Sequence, residues 1–443
     1  MSFFSRVLFR RGPPPIRPTT TQFAKMSSMG GATVALSMGT YYGAVTLHPP
    51  QPAEAQEFDP QAHHVKDRRG NTVKFRNPHP SFSFPGRLQV LEMTVRAITG
   101  TLNWPAPSTQ DKLVPVIKPE FLPTRTSSSK LRATWLGHSC YYVEYPSGLR
   151  VLFDPVFEDC CTPVHLSKFK RYTEPPCAIA DLPFVDAVVI SHSHYDHLSY
   201  PSAKEIREHH PNAHFFVGLG LEKWFKEGGF DNVTEMDWWQ EAEFTLTPQA
   251  AKGEGEGEGE SESGTSSADL PGPITAKISC LPCQHASGRG ILDQNSTLWA
   301  SWAVSSGSPA KSVWFGGDTG YRAVPKLPAG TDDYGPEYAE LPRCPQFRQI
   351  GERFGGFDLG LIPIGAYHPR HLFSGVHGNP YDAVEMFADT KCRRAMAIHW
   401  GTWVLTAEPV LEPPQMLREA LKRKGLAETG VFDTCSIGES REF

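Results

Sequence analysis

The 443-residue sequence predicts a layered α/β fold. Short apolar runs separated by turns follow one another from Leu131 onward, and helical patterns occur among them at 202–210, 220–228 and 413–424. Strands and helices mixed on this scale bury the faces of a sheet under helices, which gives a layered α/β domain. Hydrophobic residues make up 39% of the chain, which is enough to fill such a core and excludes wholesale disorder.

The charge and cysteine content exclude several classes of protein. The chain has 43 basic and 48 acidic residues, so its net charge is −5 and nucleic acid is a poor first guess for a partner. A mean hydropathy of −0.36 excludes a polytopic membrane protein. Nine scattered cysteines are too few for a disulfide scaffold and indicate reduced thiols in an intracellular compartment. The Cys280-x-x-Cys283 pair has no second pair to complete a zinc site, so two buried strand residues are the better interpretation.

The first 53 residues predict a mitochondrial targeting segment. They contain no Asp or Glu and carry five basic residues among Ser, Thr and Phe, a composition typical of transit peptides, although a plain disordered tail is the alternative. Residues 26–47 are uncharged and long enough to span a bilayer but only moderately apolar, so a membrane anchor and a flexible linker both stay open. We therefore expect a mitochondrial, membrane-associated protein at the inner membrane, with a linker over 54–72.

An N-terminal extension at 73–130 precedes the predicted catalytic domain, 131–443. Leu88, Leu91, Val95 and Ile98 recur at helical spacing and predict an amphipathic helix whose apolar face packs in the core, with membrane docking as the alternative. Residues 253–269, GEGEGEGESESGTSSAD, lie between two strand-like runs and cannot pack, so they predict a disordered insertion.

The segment 185–198, VDAVVISHSHYDHL, predicts a metal centre. An apolar strand of buried type leads directly into His192, His194, Asp196 and His197. Two histidines separated by one residue in an extended chain point to the same side and can bind one metal, and the following turn allows Asp196 and His197 to face a second. Imidazole nitrogens and carboxylate oxygens favour Zn²⁺.

The same arrangement recurs at three later positions. His285, Asp318 and His399 each follow an apolar strand-like run, as expected if several strands end at one site. This inventory predicts two Zn²⁺ ions per chain, with room for a shared water. The predicted ligands are His192, His194 and His285 for one ion, Asp196, His197 and His399 for the other, and Asp318 as a bridge.

The predicted charge of this centre constrains its substrate. Two zinc ions, two aspartates and a bridging hydroxide give a total of about +1, which suits a singly charged phosphodiester and attack of the hydroxide on phosphorus. Asp154 ends a further strand and is either an orienting partner of a ligand imidazole or a turn residue before Pro155. A basic loop follows Asp154 and contains Lys168, Lys170 and Arg171. Solvated surface charge is the default interpretation of this loop, and contact with lipid headgroups is the more specific interpretation.

Six motifs, one of which is the histidine-rich segment described above, resemble the N-acyl-phosphatidylethanolamine-hydrolysing phospholipase D family of the metallo-β-lactamase superfamily. The likeness runs from about Phe75 to the C-terminus, and the leader looks like that of fungal mitochondrial members. The segment 253–269 and the Ala-Ser-Gly-Arg sequence after His285 depart from the family, so we do not carry over its bile-acid site. The motifs are ATWLGHS (133–139), DAVVISHSHYDHL (186–198), DWW (237–239), GDTGY (317–321), IPIGAY (362–367) and AIHWGT (397–402).

The resemblance implies an αββα sandwich with two zinc ions at one edge, held by the seven predicted ligands. It implies cleavage of N-acyl-phosphatidylethanolamine to phosphatidic acid and an N-acylethanolamine, a homodimer, and substrate contacts by Tyr195 and His377. The alternatives are a thioesterase or lactonase on the same scaffold, or a non-catalytic membrane scaffold. A substrate panel separates the enzymes from one another, and a metal count separates them from the scaffold.

Overall fold

Two β-sheets packed face to face form the centre of the molecule. The structure, a computed structural model, describes residues 41–49, 61–126, 128–163, 169–248, 272–290, 292–328 and 330–443. The helices are α1 (Arg87–Ile98), α2 (Tyr200–His209), α3 (Glu222–Glu227), α4 (Gln346–Phe354), α5 (Arg370–Phe373), α6 (Pro380–Asp389) and α7 (Glu412–Arg423). The strands are β1 (Tyr41–His48), β2 (His64–Lys66), β3 (Thr72–Phe75), β4 (Arg132–Gly137), β5 (Cys140–Glu144), β6 (Arg150–Phe153), β7 (Ala187–Val189), β8 (His214–Gly218), β9 (Val233–Met236), β10 (Glu241–Pro248), β11 (Ile274–Leu281), β12 (Ser301–Ser306), β13 (Lys311–Phe315), β14 (Phe357–Pro363), β15 (Cys392–Ile398), β16 (Phe432–Asp433) and β17 (Ser440–Glu442).

Within the described residues, one sheet has the strand order β1-β10-β11-β12-β13-β14-β15-β16, and the other has β17-β4-β5-β6-β7-β8-β9. β2 and β3 form a separate two-stranded sheet. The first sheet turns from antiparallel to parallel pairing at β13, and the second does so at β6.

The alternation of side chains along the strands builds the layers. Val151 and Phe153 of β6 belong to the core between the sheets, whereas Leu152 lies in a second core with Ile206 of α2 and Phe225 of α3. The rings of Phe153 and Phe315 meet across the sheets with centroids 4.8 Å apart. α2 and α3 thus cover the second sheet, and the first sheet is covered by α6, which packs on β14 and β15, and by α4 and α7, which pack on α6. The αββα sandwich that the resemblance implies is confirmed.

The predicted helices of the catalytic domain lie within two residues of α2, α3 and α7 at each end. The side chain of Ser199 caps α2 by accepting from the Ser202 N–H, and a proline stands in its first turn. In α7, Leu417, Ala420 and Leu421 recur at helical spacing and are buried.

The N-terminal region differs from the sequence prediction. Residues 41–47 of the possible anchor lie in β1, which pairs with β10 along its whole length, so neither an anchor nor a flexible linker describes them. Residues 61–72 of the predicted linker are also folded, and they include β2 and the first residue of β3. The polar composition of β2 and β3 concealed this, because most of their side chains face solvent. Residues 1–40 lie outside the described residues.

The amphipathic helix exists as α1, but its apolar face is not core. The side chains of Leu88, Leu91 and Val95 are 81%, 59% and 50% exposed, so the expectation that they pack inside is wrong. No described helix combines the length and the apolar character needed to cross a bilayer. The predicted insertion, 253–269, lies outside the described residues.

Candidate metal centre

Six strands of the two sheets lead into the candidate site. In the first sheet β11, β13 and β15 are parallel to one another, and in the second sheet β4, β6 and β7 are parallel to one another. The residues after the carboxyl end of each strand reach one edge of the sandwich, where open α/β sheets form their sites. These residues are His138 after β4, Asp154 after β6, His192 to His197 after β7, His285 after β11, Asp318 after β13 and His399 after β15.

The first group of converging side chains consists of His192, His194, His285 and Asp318. His194 Nδ1 lies 2.8 Å from His192 Nε2 and 3.2 Å from His285 Nε2. Asp318 Oδ2 lies 3.6 Å from His285 Nε2 and 3.8 Å from His192 Nε2. Ligands about 2.0–2.1 Å from a tetrahedral Zn²⁺ stand roughly 3.3 Å from one another, so this spacing fits one ion.

The second group consists of His138, Asp196, His197 and His399. Asp196 Oδ2 lies 3.1 Å from His138 Nε2, 3.4 Å from His197 Nε2 and 3.5 Å from His399 Nε2. The structure therefore brings together the three residues that the sequence assigned to a second ion, and it adds His138.

His138 was missed because a lone histidine after a strand is usually structural. The usable signal was its position, since it follows the strand-like run ATWLG in the same way that the other candidate ligands follow theirs. It lies in the β4–β5 turn with a φ of 50°. Its N–H donates to Thr402 Oγ1 and its carbonyl accepts from the His399 N–H, so the His138 and His399 loops are joined directly.

Asp318 lies between the two groups, as the sequence analysis expected of a bridge. Its Oδ1 is 3.0 Å from His399 Nε2, and its Oδ2 is 3.2 Å from His197 Nε2 as well as near the first group.

Hydrogen bonds on the far side of the imidazoles aim them inward. His197 Nδ1 lies 2.6 Å from Asp154 Oδ2, and the same carboxylate accepts from the N–H and hydroxyl of Ser191. His285 Nδ1 donates to the Val376 carbonyl at 2.9 Å. With the outer nitrogen occupied, the lone pair of Nε2 faces the centre, which is how metal-binding histidines are oriented. Asp154 is therefore placed as an orienting carboxylate rather than as a turn residue alone.

Among the described residues, several buried polar atoms at the centre lack a hydrogen bond of good geometry. They include His197 Nε2, His399 Nε2 and Asp318 Oδ1, although Asp318 lies 3.0–3.2 Å from both imidazoles. A buried unpaired polar atom costs about 1–3 kcal/mol, and metal ligation is one of the few ways to avoid that cost. The residues present therefore fit a pair of metal ions.

Burial and mutual contacts set the protonation of these groups. Burial lowers the pKa of His192 and of His285 well below the usual range, which leaves both imidazoles neutral, as ligation requires. Burial alone would raise the pKa of Asp318, but the surrounding imidazoles, His197 foremost, lower it well below its usual range. Burial opposes protonation of His399, yet the Asp318 carboxylate raises its pKa to about 9. The same anionic charge would attract a metal cation.

The predicted substrate residues flank this centre. His377 Nε2 lies 4.0 Å from Asp318 Oδ2, and its ring contacts those of His285 and His399. Burial lowers the pKa of His377 to about 3. Tyr195 is half-buried and carries the Arg289 guanidinium 3.8 Å above its ring.

The basic loop is not the surface that the sequence suggested. Arg171 is buried, lies 5.0 Å from the centre of the Trp403 ring and donates to the Phe157 carbonyl, so it is not available to a lipid headgroup. Burial lowers its pKa to about 10. Lys170 is exposed and forms an ion pair with Asp159 at 3.3 Å, and Lys168 lies outside the described residues.

A family model and two curated relatives identify the family of the chain. Residues 149–400 match the family model described as Beta-lactamase superfamily domain. The chain is 36% identical over 320 residues to N-acyl-phosphatidylethanolamine-hydrolyzing phospholipase D 1 of Caenorhabditis elegans, an alignment that covers 71% of this chain and 76% of that one. It is 33% identical over 309 residues to N-acyl-phosphatidylethanolamine-hydrolyzing phospholipase D, mitochondrial, of Saccharomyces cerevisiae, with coverage of 69% and 54%. Among solved structures, a possible metal-dependent hydrolase from Veillonella parvula aligns at 14% identity with a TM-score of 0.45, covering 71% of this chain and all of that one.

Replacing His138 by Asn is expected to weaken the metal ion of the second group about 10–100-fold, because it removes an imidazole that contacts Asp196. Asn tolerates the left-handed backbone conformation at this position, so the turn should be kept. Metal analysis after dialysis against a graded chelator series measures the loss.

The matched control for this variant is His214→Asn at the start of β8, which removes a half-buried imidazole that bonds Thr234. The control should retain both ions at the affinity of the parent protein. Equal metal retention by His138→Asn and the parent would contradict the assignment of His138 to the second group.

Proposed function

Because this chain belongs to the N-acyl-phosphatidylethanolamine-hydrolysing phospholipase D family of the metallo-β-lactamase superfamily, we propose that it is a zinc-dependent phospholipase D. Its substrate would be N-acyl-phosphatidylethanolamine, and its products an N-acylethanolamine and phosphatidic acid. The convergence of two four-residue His/Asp groups on one edge of the sandwich carries this proposal.

In this proposal His192, His194 and His285 hold one zinc ion, and Asp196, His197 and His399 hold the other with His138 beside them. Asp318 reaches both groups and would bridge the ions. Two bound zinc ions supply a water of lowered pKa and neutralise charge on the phosphoryl oxygens. The chain itself contributes the fixed geometry, since Asp154 and the Val376 carbonyl hold two of the imidazoles from behind.

Tyr195 and His377 are the groups through which we expect the chain to contact the substrate. Both are half-buried at the centre, and His377 stays neutral because burial lowers its pKa to about 3. A neutral imidazole and a phenol can hydrogen-bond a phosphodiester or amide without adding charge to the site.

We also propose that α1 docks on the bilayer that contains the substrate. Leu88, Leu91 and Val95 form one apolar stripe on this helix and remain exposed. A diacyl lipid is not delivered from water, so an enzyme acting on it needs such a surface. Burying each of these side chains in lipid is worth about 1.5–3 kcal/mol.

The acid-free N-terminus supports a mitochondrial location for the chain. Residues 1–53 have the composition of a transit peptide, and the yeast relative is named as mitochondrial.

Purified protein mixed with vesicles containing N-acyl-phosphatidylethanolamine is expected to release phosphatidate and N-acylethanolamine in equal amounts. Asp318→Asn should lower this rate by more than about 100-fold, because loss of even an outer partner of a metal ligand costs about 10–100-fold. Mass spectrometry of both products checks the reaction.

Asp358→Asn is the control, since Asp358 lies at the start of β14, at the opposite end of the strand from the metal centre, and should leave the rate unchanged. Turnover of thioester or lactone substrates with no phosphodiester cleavage would refute the assignment as a phospholipase D. Full activity after removal of metal by a chelator would refute the role of zinc.

Changing Leu88, Leu91 and Val95 together to Ser is expected to weaken vesicle binding at least about 10-fold, because the exposed apolar stripe is lost. Co-sedimentation with vesicles measures binding. Hydrolysis of a water-soluble, short-chain analogue should be unchanged, since none of the three residues lies at the metal centre.

The control for docking changes three exposed apolar residues elsewhere, Val116, Ile117 and Leu411, to Ser. If this control weakened binding as much as the α1 variant, general hydrophobicity and not α1 would explain the docking.

A reporter fused to residues 1–60 is expected to enter mitochondria, because this segment is basic and almost free of acid. Arg10→Glu with Arg11→Glu in the same fusion should reduce import. Cell fractionation checks both, and a cytosolic parent fusion would overturn the location.

A further inference from the structure

Residues 61–84, here called the strap, run across the catalytic domain before α1. One end is fixed by His63 Nε2 and His64 Nε2, which lie 2.7 and 2.8 Å from the two oxygens of Asp237. His64 Nδ1 lies 2.8 Å from Thr72 Oγ1, and the His63 ring stacks on Trp238. These are hydrogen-bond distances and each nitrogen has its own oxygen partner, whereas buried atoms of the metal centre lack such bonds among the described residues. We therefore interpret His63, His64 and Asp237 as a clasp that fastens the strap to the catalytic domain.

The other end of the strap contacts the loop that carries His285. Asn77 Nδ2 donates to the His285 carbonyl at 2.7 Å, and Ser81 Oγ donates to Gln284 Oε1 at 2.6 Å. The Gln284 side chain in turn donates to the carbonyls of Ser81 and Gly375, both at 3.0 Å. Ser81 and Gln284 are 0% and 1% exposed, so water cannot replace these bonds.

Gln284 also connects the strap to the loops of Asp318 and His377. Its N–H donates to Thr319 Oγ1, and its carbonyl accepts from the Gly320 N–H at 2.7 Å. The Gly378 N–H donates to the Thr319 carbonyl. A single buried glutamine thus joins three loops, and each of them carries a residue of the candidate centre.

Two glycines allow the strap and these loops to stack backbone on backbone. A Cβ on Gly375 would lie 2.3 Å from the Ser83 carbonyl oxygen, and a Cβ on Gly320 would lie 2.3 Å from the Gly375 carbonyl carbon. Such contacts are not tolerated, so both positions require glycine because the three segments pack without a gap.

We propose that the strap is a structural part of the metal centre, with Ser81 and Asn77 as positioning residues for His285. They act through Gln284 and the His285 backbone and touch neither substrate nor metal. This inference deepens the proposed function and rests on it only for the presence of metal ions.

The physical basis is the cost of leaving buried groups unpaired. Without the Ser81 hydroxyl, Gln284 Oε1 has no donor, and without the Asn77 amide the buried His285 carbonyl loses one. Each loss frees the 284–285 segment to move, while the Val376 carbonyl still holds His285 Nδ1 from the other side. The first group, which contains His285, should therefore weaken more than the second group.

The test compares Ser81→Ala and Asn77→Ala in the full-length protein loaded with Co²⁺, whose visible absorption reports each ion's ligands. A competing chelator removes the ions in order of affinity. Both variants should release the first-group ion at about 10–100-fold lower chelator concentration than the parent, with the second-group ion unchanged. His194→Asn, which lacks a first-group ligand, identifies the spectral component of that ion.

Ser306→Ala is the matched control, because Ser306 is a buried serine whose hydroxyl donates to the Thr275 carbonyl at 2.6 Å in the sheet. It should lower the thermal unfolding midpoint about as much as Ser81→Ala does and leave both cobalt components unchanged.

Parent-like release of both ions in Ser81→Ala and Asn77→Ala would overturn the proposal. Equal weakening of both ions together with a lower unfolding midpoint would also overturn it, since that is general destabilisation. Because metal binding is measured without substrate, these outcomes stand apart from any failure to cleave the proposed lipid.

Discussion

The convergence of buried imidazoles and carboxylates at one edge of the sandwich is the constraint on which the rest of the structure depends. Within the part of the chain that the structure describes, buried side-chain atoms of His197, His399 and Asp318 lack a hydrogen bond of good geometry. Burial of such groups without partners would be prohibitively costly for a marginally stable domain, and cations placed between the two groups satisfy them together. Bound metal ions would therefore stabilise this fold as well as supply its chemistry.

The fold meets that requirement with strand direction and with local backbone strain. Strands of like direction in both sheets end at the same edge, so short loops are enough to bring the side chains together. Three residues of the centre, His138, Asp154 and His399, adopt positive φ angles of 50°, 38° and 60°. Residues other than glycine rarely adopt this conformation, and such strain is typically kept where geometry at a site requires it.

The sequence predicted the parts of this centre that local pattern encodes. The spacing from His192 to His197 indicates which side chains point to the same side of the extended chain. The apolar runs predict strands, and strands of like direction bring the residues that follow them to one edge of the sandwich. Those residues are His285, Asp318 and His399. His138 also follows a strand-like run, but a lone histidine there is usually structural, and its role depends on the Thr402 and His399 contacts that only the folded chain makes. The burial of Arg171 and the folding of residues 61–72 were hidden for the same reason, since polar residues that pack against distant loops look like solvent-exposed ones.

The position of α1 follows from the strap rather than from the helix itself. Ser83 is packed on Gly375 in the His377 loop, and α1 begins four residues later at Arg87. Four extended residues span at most about 14 Å, so the helix start cannot lie farther than that from the loop at the metal centre. An apolar stripe tethered this closely would hold the headgroup region of a bilayer near the centre, whereas a helix on a flexible linker would not. The strap would thus give the proposed docking surface and the metal centre a common frame, since Ser83 lies only two residues after Ser81, which contacts Gln284 beside His285.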